Sequence, residues 1–236
     1  MTHSIFKNTA ILWTNISPFS ADPIQYDAFI HHLAFTSVLS PIVTLNKLGE
    51  YKGILAESWV VSSDFKEWTF RIRAGLQFEN GDPITAHILV LSWLRLAFYQ
   101  KSHHSQSGLL EFLEGFNEIN CPYSEILGLK VSGNEITLTF IKPMPKVLEA
   151  ISFGMYSVVH PSDFDRATGE WLDPHKVTAS GAYRVSRWNA DSFTLQLRQE
   201  FPVELRHKKA LKEIEFVWEP GKRAAALSKK YPPLLS

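Results

Sequence analysis

Short segments in which apolar and polar residues alternate constrain the fold of this chain most strongly. Trp68, Phe70 and Ile72 are separated by polar residues, and this period of two is typical of a strand with one buried face. The same period recurs at residues 135–141 and 192–198. These segments do not alternate regularly with helical ones, so the pattern favours an α+β fold over a doubly wound parallel sheet.

Turn-forming residues separate the predicted elements. Residues 127–131 and 135–141 flank a Ser-Gly-Asn turn, which predicts a β-hairpin. Thr85 follows an Asn-Gly-Asp-Pro turn and is expected to cap a helix over residues 88–98, which is apolar nearly all round and therefore buried on more than one side. The remaining predictions are helices over 26–39 and 147–153, strands over 10–13, 181–188 and 213–218, and a loop over 15–23.

The composition excludes several classes of protein. The 236 residues include 45% hydrophobic and 20% charged residues, which suits one large or two small globular domains. The 24 basic and 24 acidic residues balance, so there is no electrostatic reason to expect nucleic acid or an anionic membrane as a partner. No apolar run reaches the roughly 18 residues of a membrane span. No signal peptide is seen either, which leaves a cytoplasmic location or a removed targeting segment as alternatives.

The sequence offers no constellation for catalysis or metal binding. The lone Cys121 has no reactive-site signature around it, and His103-His104 has no further ligand at a suitable spacing. Asp163 and its neighbouring acids lie in a turn-rich region and are expected to be solvated loop residues. We therefore predict a non-catalytic protein with no cofactor and no metal.

A set of short motifs, in a fixed order, resembles the N-terminal lobe of the family 5 extracellular solute-binding proteins, the oligopeptide- and nickel-binding receptors of ABC importers. The motifs are Asp22-Pro23, Leu55-Ala56-Glu57-Ser58-Trp59, Trp68-Thr69-Phe70-Arg71-Ile72-Arg73, Asn80-Gly81-Asp82-Pro83, Thr85-Ala86, Ser92-Trp93 and Ser180-Gly181-Ala182-Tyr183 followed by Trp188. Each motif is short, and the resemblance comes from their order over residues 10–218. Among these receptors, the oligopeptide-binding ones resemble the residues of these motifs most.

The resemblance implies a fold and a function. The expected fold is one lobe of a type II periplasmic-binding-protein-like structure, a mixed sheet with flanking helices, with the second lobe missing. Residues 1–220 would form this lobe, and 221–236 would be the tail where the crossover to the second lobe begins. The expected role is the substrate-binding component of a peptide importer, partnered by an oligopeptide or other small ligand and by the permease subunits, in the periplasm or outside the cell. A cytoplasmic small-molecule sensor domain of a transcription regulator is the alternative, although no helix-turn-helix is visible.

The resemblance also implies where a ligand would bind. The loop before the Asp-Pro motif places Ser17 and Phe19 on the cleft, and the loop after the buried helix places His104 and Ser105 there. In each case an ordinary surface loop is the alternative. The ligand's identity, the oligomeric state and the ability of this chain to bind alone stay open.

Two further expectations concern the motifs themselves. Glu57 and Trp59 are expected to be structural, with a buried indole ring whose N–H finds a partner. The turn before the aromatic strand usually carries a glycine in the family, and here Phe65 stands in that turn.

Overall fold

The computed structural model describes residues 9–13, 20–25, 32, 34–103 and 108–218. Its strands are β1 (Thr9–Trp13), β2 (Val43–Leu45), β3 (Tyr51–Gly53), β4 (Ala56–Val61), β5 (Glu67–Ile72), β6 (Leu129–Ser132), β7 (Glu135–Thr139), β8 (Tyr183–Trp188), β9 (Ser192–Leu197) and β10 (Glu213–Val217). Its named helices are α1 (Ala86–Ser102) and α2 (Val147–Ile151). Short 3-10 turns lie at Pro23–Gln25, Leu109–Phe112, Phe116–Glu118, Gly154–Tyr156 and Val203–Leu205.

The strands within these ranges form three sheets. The first has the order β1-β10-β9-β8, in which β1 and β10 are parallel and the other pairs are antiparallel. The second is the β2-β3 pair, and the third is antiparallel with the order β4-β5-β7-β6. The predicted α+β fold with a mixed sheet is therefore confirmed.

The third sheet buries the residues whose alternation was read from the sequence. Trp68, Phe70 and Ile72 of β5 are all at most 4% exposed, and they lie in one core with the apolar residues of β7 and α1. On the opposite face, Thr69 and Thr137 share a hydrogen bond of 3.0 Å between their hydroxyl oxygens. One face is therefore core and the other solvated, as the period of two predicts.

Helix α1 is longer than the predicted 88–98 and is buried on several sides. Thr85 caps it, because its hydroxyl oxygen accepts a hydrogen bond of 3.3 Å from the Ile88 amide. Trp93 is fully buried, and its indole N–H donates to the Tyr156 carbonyl at 2.9 Å. The same helix also buries Arg95, whose partner is described below.

Aromatic packing and buried polar contacts join the first sheet to the rest of the chain. The Phe193 ring stacks on Phe35 at 5.6 Å and on Phe216 at 4.6 Å between centroids. Arg198, 1% exposed, donates to the carbonyls of Ala179, Gly181 and Gln77. A Cβ at Gly181 would lie 2.4 Å from the Ser37 carbonyl oxygen, so only glycine fits where the two segments meet.

Several expectations need correction. Trp59 is only partly buried and Glu57 is exposed, because β4 is an edge strand with an irregular register between Ala56 and Ser58.

The predicted hairpin is confirmed as β6 and β7, which turn through Gly133 at φ 58°. Within the predicted helix over 26–39, residues 26–31 and 33 lie outside the described residues, as do 15–19 of the predicted loop and the whole tail 221–236.

Candidate functional site

The parallel pair β1 and β10 defines one edge of the first sheet. Trp13 is in register with Val217, so the carboxyl ends of both strands lie at the same end of the sheet. Neighbouring strands lie about 4.8 Å apart. The last described residue before the predicted ligand loop, Trp13, therefore lies beside Val217, near the end of β10. Ser17 and Phe19 themselves lie outside the described residues.

The turn between β8 and β9 holds the end of β10 at this edge. The backbone N–H of Trp218 donates to the Asp191 carbonyl at 3.0 Å, and its indole N–H donates to the Ala190 carbonyl at 2.7 Å. The Trp218 ring also lies 6.0 Å from the Phe193 ring. The point at which the chain leaves the sheet is thus set by three separate contacts.

A buried ion pair fixes the segment after the predicted ligand loop. The two guanidinium nitrogens of Arg95 donate to the two carboxylate oxygens of Asp22 at 2.9 and 2.6 Å. The side chains are 3% and 4% exposed. Asp22 also accepts from the Ile24 amide at 3.1 Å, and its own amide donates to the Ser20 hydroxyl at 3.1 Å. This bidentate geometry orients the segment as well as neutralising both charges.

Arg95 is held on every side by described residues. Its Nε–H donates to the Gly169 carbonyl at 2.7 Å. Its guanidinium carbon lies 5.1 Å from the Phe164 ring centroid and 5.2 Å from that of Trp171, within the range of cation–π attraction. Helix α1 is thereby tied to both residues 20–25 and 164–171.

Next to this ion pair lies a cavity of about 370 Å³, which we call the Glu170 cavity. It is lined by Asp22, Gln25, Arg95, Phe98, Tyr99, His103, Thr168, Gly169, Glu170 and Trp171. Asp22 and Gln25 follow the first predicted ligand loop, and His103 belongs to the second, which was predicted over residues 100–108 and whose first residues the structure instead places in α1. His104 and Ser105 of that second loop lie outside the described residues. Described residues within or next to the two predicted loops therefore line one cavity, which the sequence did not reveal.

A chain of hydrogen bonds that joins the side chains of Ser162, His160 and Asp82 was also not predicted from the sequence. His160 Nδ1 lies 2.6 Å from the Ser162 hydroxyl, and Nε2 lies 2.9 Å from an Asp82 carboxylate oxygen. The Ser162 amide donates to His160 Nδ1, the Asp163 amide donates to the His160 carbonyl, and Pro161 has no N–H. The amides of Ser162 and Asp163 are both already paired within this segment, so these contacts form a compact local motif.

The three loop acids differ from one another. Asp163 is half-buried, not solvated as expected, and its carboxylate accepts from the Thr178 hydroxyl at 2.7 Å and from the Thr178 amide at 2.8 Å. Burial raises the pKa of Asp163. Hydrogen bonds from backbone amides instead lower the pKa of Asp165 and of Asp173, which cap turns.

In the described ranges, no group of three or more His, Cys, Asp or Glu side chains is arranged to hold a metal ion. No helix there is long and apolar enough to cross a membrane.

The architecture is that of one lobe of a type II periplasmic-binding-protein-like fold. The peptide-bound oligopeptide-binding protein OppA of Listeria monocytogenes aligns with a TM-score of 0.79 at 19% identity, covering 94% of this chain and 45% of that one. The murein tripeptide-binding protein MppA of Escherichia coli aligns with a TM-score of 0.75 at 20% identity, covering 97% of this chain and 49% of that one.

A family model described as "Bacterial extracellular solute-binding proteins, family 5 Middle" matches residues 50–230, so the chain belongs to this family. The periplasmic oligopeptide-binding protein OppA of Salmonella typhimurium is 28% identical over 139 residues, 57% of this chain and 25% of that protein. The dipeptide-binding protein DppE of Bacillus subtilis is 27% identical over 165 residues, 68% of this chain and 30% of that protein. The match thus spans between a quarter and a third of these relatives.

Proposed function

We propose that this chain forms one wall of the peptide-binding cleft of an ABC importer's substrate-binding component and performs no catalysis. The observation that carries the proposal is that Asp22 and Gln25, which follow Ser17 and Phe19 in the chain, line the same cavity as His103, which precedes His104 and Ser105. Trp13, the last described residue before the first loop, also lies beside Val217 of β10. The names of the relatives, oligopeptide- and dipeptide-binding proteins, supply the ligand class.

In this proposal, residues 1–220 form the lobe and residues 221–236 begin the crossover to a second lobe. An extended peptide would pair with the backbone around Ser17 and Phe19 in the manner of an added strand. His104 and Ser105 would contact it from the second loop. The importer's permease subunits would be the protein partners, and the site of action would be the periplasm or the cell exterior, as in the relatives named periplasmic.

One wall alone is expected to bind weakly. A cleft closed by two lobes surrounds its ligand, whereas a single lobe offers about half the contacts against nearly the full loss of translational and rotational freedom. The dissociation constant of this chain for a peptide should therefore be roughly millimolar or weaker, equivalent to about −4 kcal/mol.

Calorimetry with uncharged oligopeptides tests the proposal. The titration is run on this chain and on a fusion in which the second lobe of a two-lobed family 5 protein follows it, where binding should tighten by orders of magnitude. Phe19→Ala should weaken binding to the fusion, while Phe153→Ala, which alters an exposed phenylalanine elsewhere, should not. Micromolar binding by this chain alone would refute the two-wall argument, and a fusion that binds no peptide would refute the ligand class.

A further inference from the structure

We propose that the Glu170 cavity binds the cationic end of a lysine or arginine side chain. The proposal deepens the proposed function by naming a class of peptide, and it rests on that function only for the peptide to which the cation is attached. The observations behind it concern described residues alone.

The walls of the Glu170 cavity are aromatic. Phe98, Tyr99 and Trp171 line it, and the Tyr99 ring stacks on His103 with centroids 4.1 Å apart. Aromatic faces attract ammonium and guanidinium groups, most strongly where water is partly excluded. The volume of about 370 Å³ lies at the lower end of the range for ligand pockets, which suits one side chain and not a whole peptide.

The Asp, Glu and Arg side chains among the described residues of the lining leave one negative charge in excess. Asp22 and Arg95 neutralise each other through two hydrogen bonds of 2.9 and 2.6 Å. Glu170 is the other carboxylate in the lining, it is exposed, and no ion pair involves it among the described residues. A carboxylate without an ion pair in the same lining as the Phe98 and Tyr99 rings is a combination suited to an organic cation, while the Trp171 ring is already in contact with the Arg95 guanidinium.

Two other grooves of the surface lack this combination. The groove of about 590 Å³ beside β8 is lined by two acids, Asp163 and Asp173, and by two basic residues, Lys176 and Arg187, so these charges balance; Asp173 and Lys176 pair at 3.2 Å. The groove of about 410 Å³ between Ser37 and Leu205 has hydroxyl groups in its lining but no acid. Selectivity for a cation is therefore expected at the Glu170 cavity and not at these grooves.

The test is an NMR titration of the ¹⁵N-labelled chain with two capped amino acids. N-acetyl-lysine-methylamide should shift the amide signals of Thr168 and Gly169, while uncharged N-acetyl-norleucine-methylamide should shift them at roughly three- to fivefold higher concentration. Glu170→Gln should remove most of this difference. Glu204→Gln changes an exposed glutamate outside the cavity and should leave the difference intact. Tyr99→Leu, which removes one aromatic face, should reduce it.

Equal responses to the lysine and norleucine probes, or a lysine preference that survives Glu170→Gln, would overturn the proposal. The probes carry no peptide chain beyond their caps, so this result is independent of the calorimetry with uncharged peptides. A cation preference without peptide binding would support the cavity assignment and reject the receptor function. Peptide binding without a cation preference would support the receptor function and reject the cavity assignment.

Discussion

Replacing Asp22 by alanine should destabilise the protein severely, since the change strands a buried guanidinium. Arg95 would keep its bond to the Gly169 carbonyl and its two aromatic neighbours, but it would lose both carboxylate oxygens. The Ile24 amide would also lose its acceptor. With side chains only 3% and 4% exposed, water cannot replace these partners without a rearrangement.

The expected cost is about 3–5 kcal/mol of the free energy of unfolding, the range for removing one partner of a buried pair. An exposed ion pair in the same protein provides the scale. Arg71 and Glu135 lie 2.8 Å apart with side chains 59% and 40% exposed, so Glu135→Ala should cost about 0–1 kcal/mol. The double change Asp22→Leu with Arg95→Met should cost less than the sum of the two single changes, by about 2–3 kcal/mol.

Urea unfolding followed by tryptophan fluorescence measures all five variants: Asp22→Ala, Glu135→Ala, Asp22→Leu, Arg95→Met and the double change. The slope of the free energy against urea must match the parent for the comparison to report on the folded state. If Asp22→Ala costs no more than Glu135→Ala, or if the double change is additive, the pair does not anchor residues 20–25 and the argument from its burial fails.

Two more changes probe the backbone and the pH dependence. Phe65 has a φ of 57°, so Phe65→Gly should be more stable than Phe65→Ala by about 1 kcal/mol, because both variants lose the ring but only alanine keeps the left-handed strain. Equal urea midpoints would contradict this. Burial raises the folded-state pKa of Asp163 above its ordinary value of 3.8, so its contribution to stability is fully present below that value and is lost as pH rises through the folded pKa. Asp163→Asn, which can keep the contacts with Thr178, should flatten this decline in urea titrations from about pH 4 to about pH 7; an unchanged slope would count against the burial argument.

The parts of the fold that the sequence predicted are those with a regular local period. Strand β5 and the hairpin of β6 and β7 alternate cleanly, and their buried residues are the predicted ones. Strand β4 was missed because it lies at a sheet edge with only Ala56 fully buried, so tertiary position overrides the pattern. The short pair of β2 and β3 has only three residues in each strand, too few for a period.

The site was harder to predict because its parts are distant in the chain. Asp22 and Arg95 are 73 positions apart, and no spacing rule connects them. One signal was present: Arg95 stands in a helix that is apolar nearly all round, and a buried arginine requires a partner. Glu170 carried no comparable signal, because a glutamate in a turn-rich segment is usually solvated.

The pairing of β1 with β10 has a consequence for folding during synthesis. Strand β1 leaves the ribosome first, yet its partner, Glu213–Val217, lies near the far end of the described chain. At usual rates of synthesis, roughly 10–40 s separate the two. All strands of the third sheet have been synthesised once Thr139 has emerged, so this sheet can fold early. The apolar residues Ala10 to Leu12 still lack their partner strand at that point. During that interval this apolar segment has no β10 to pair with. It is then exposed to chaperones and can pair with the same segment of neighbouring nascent chains.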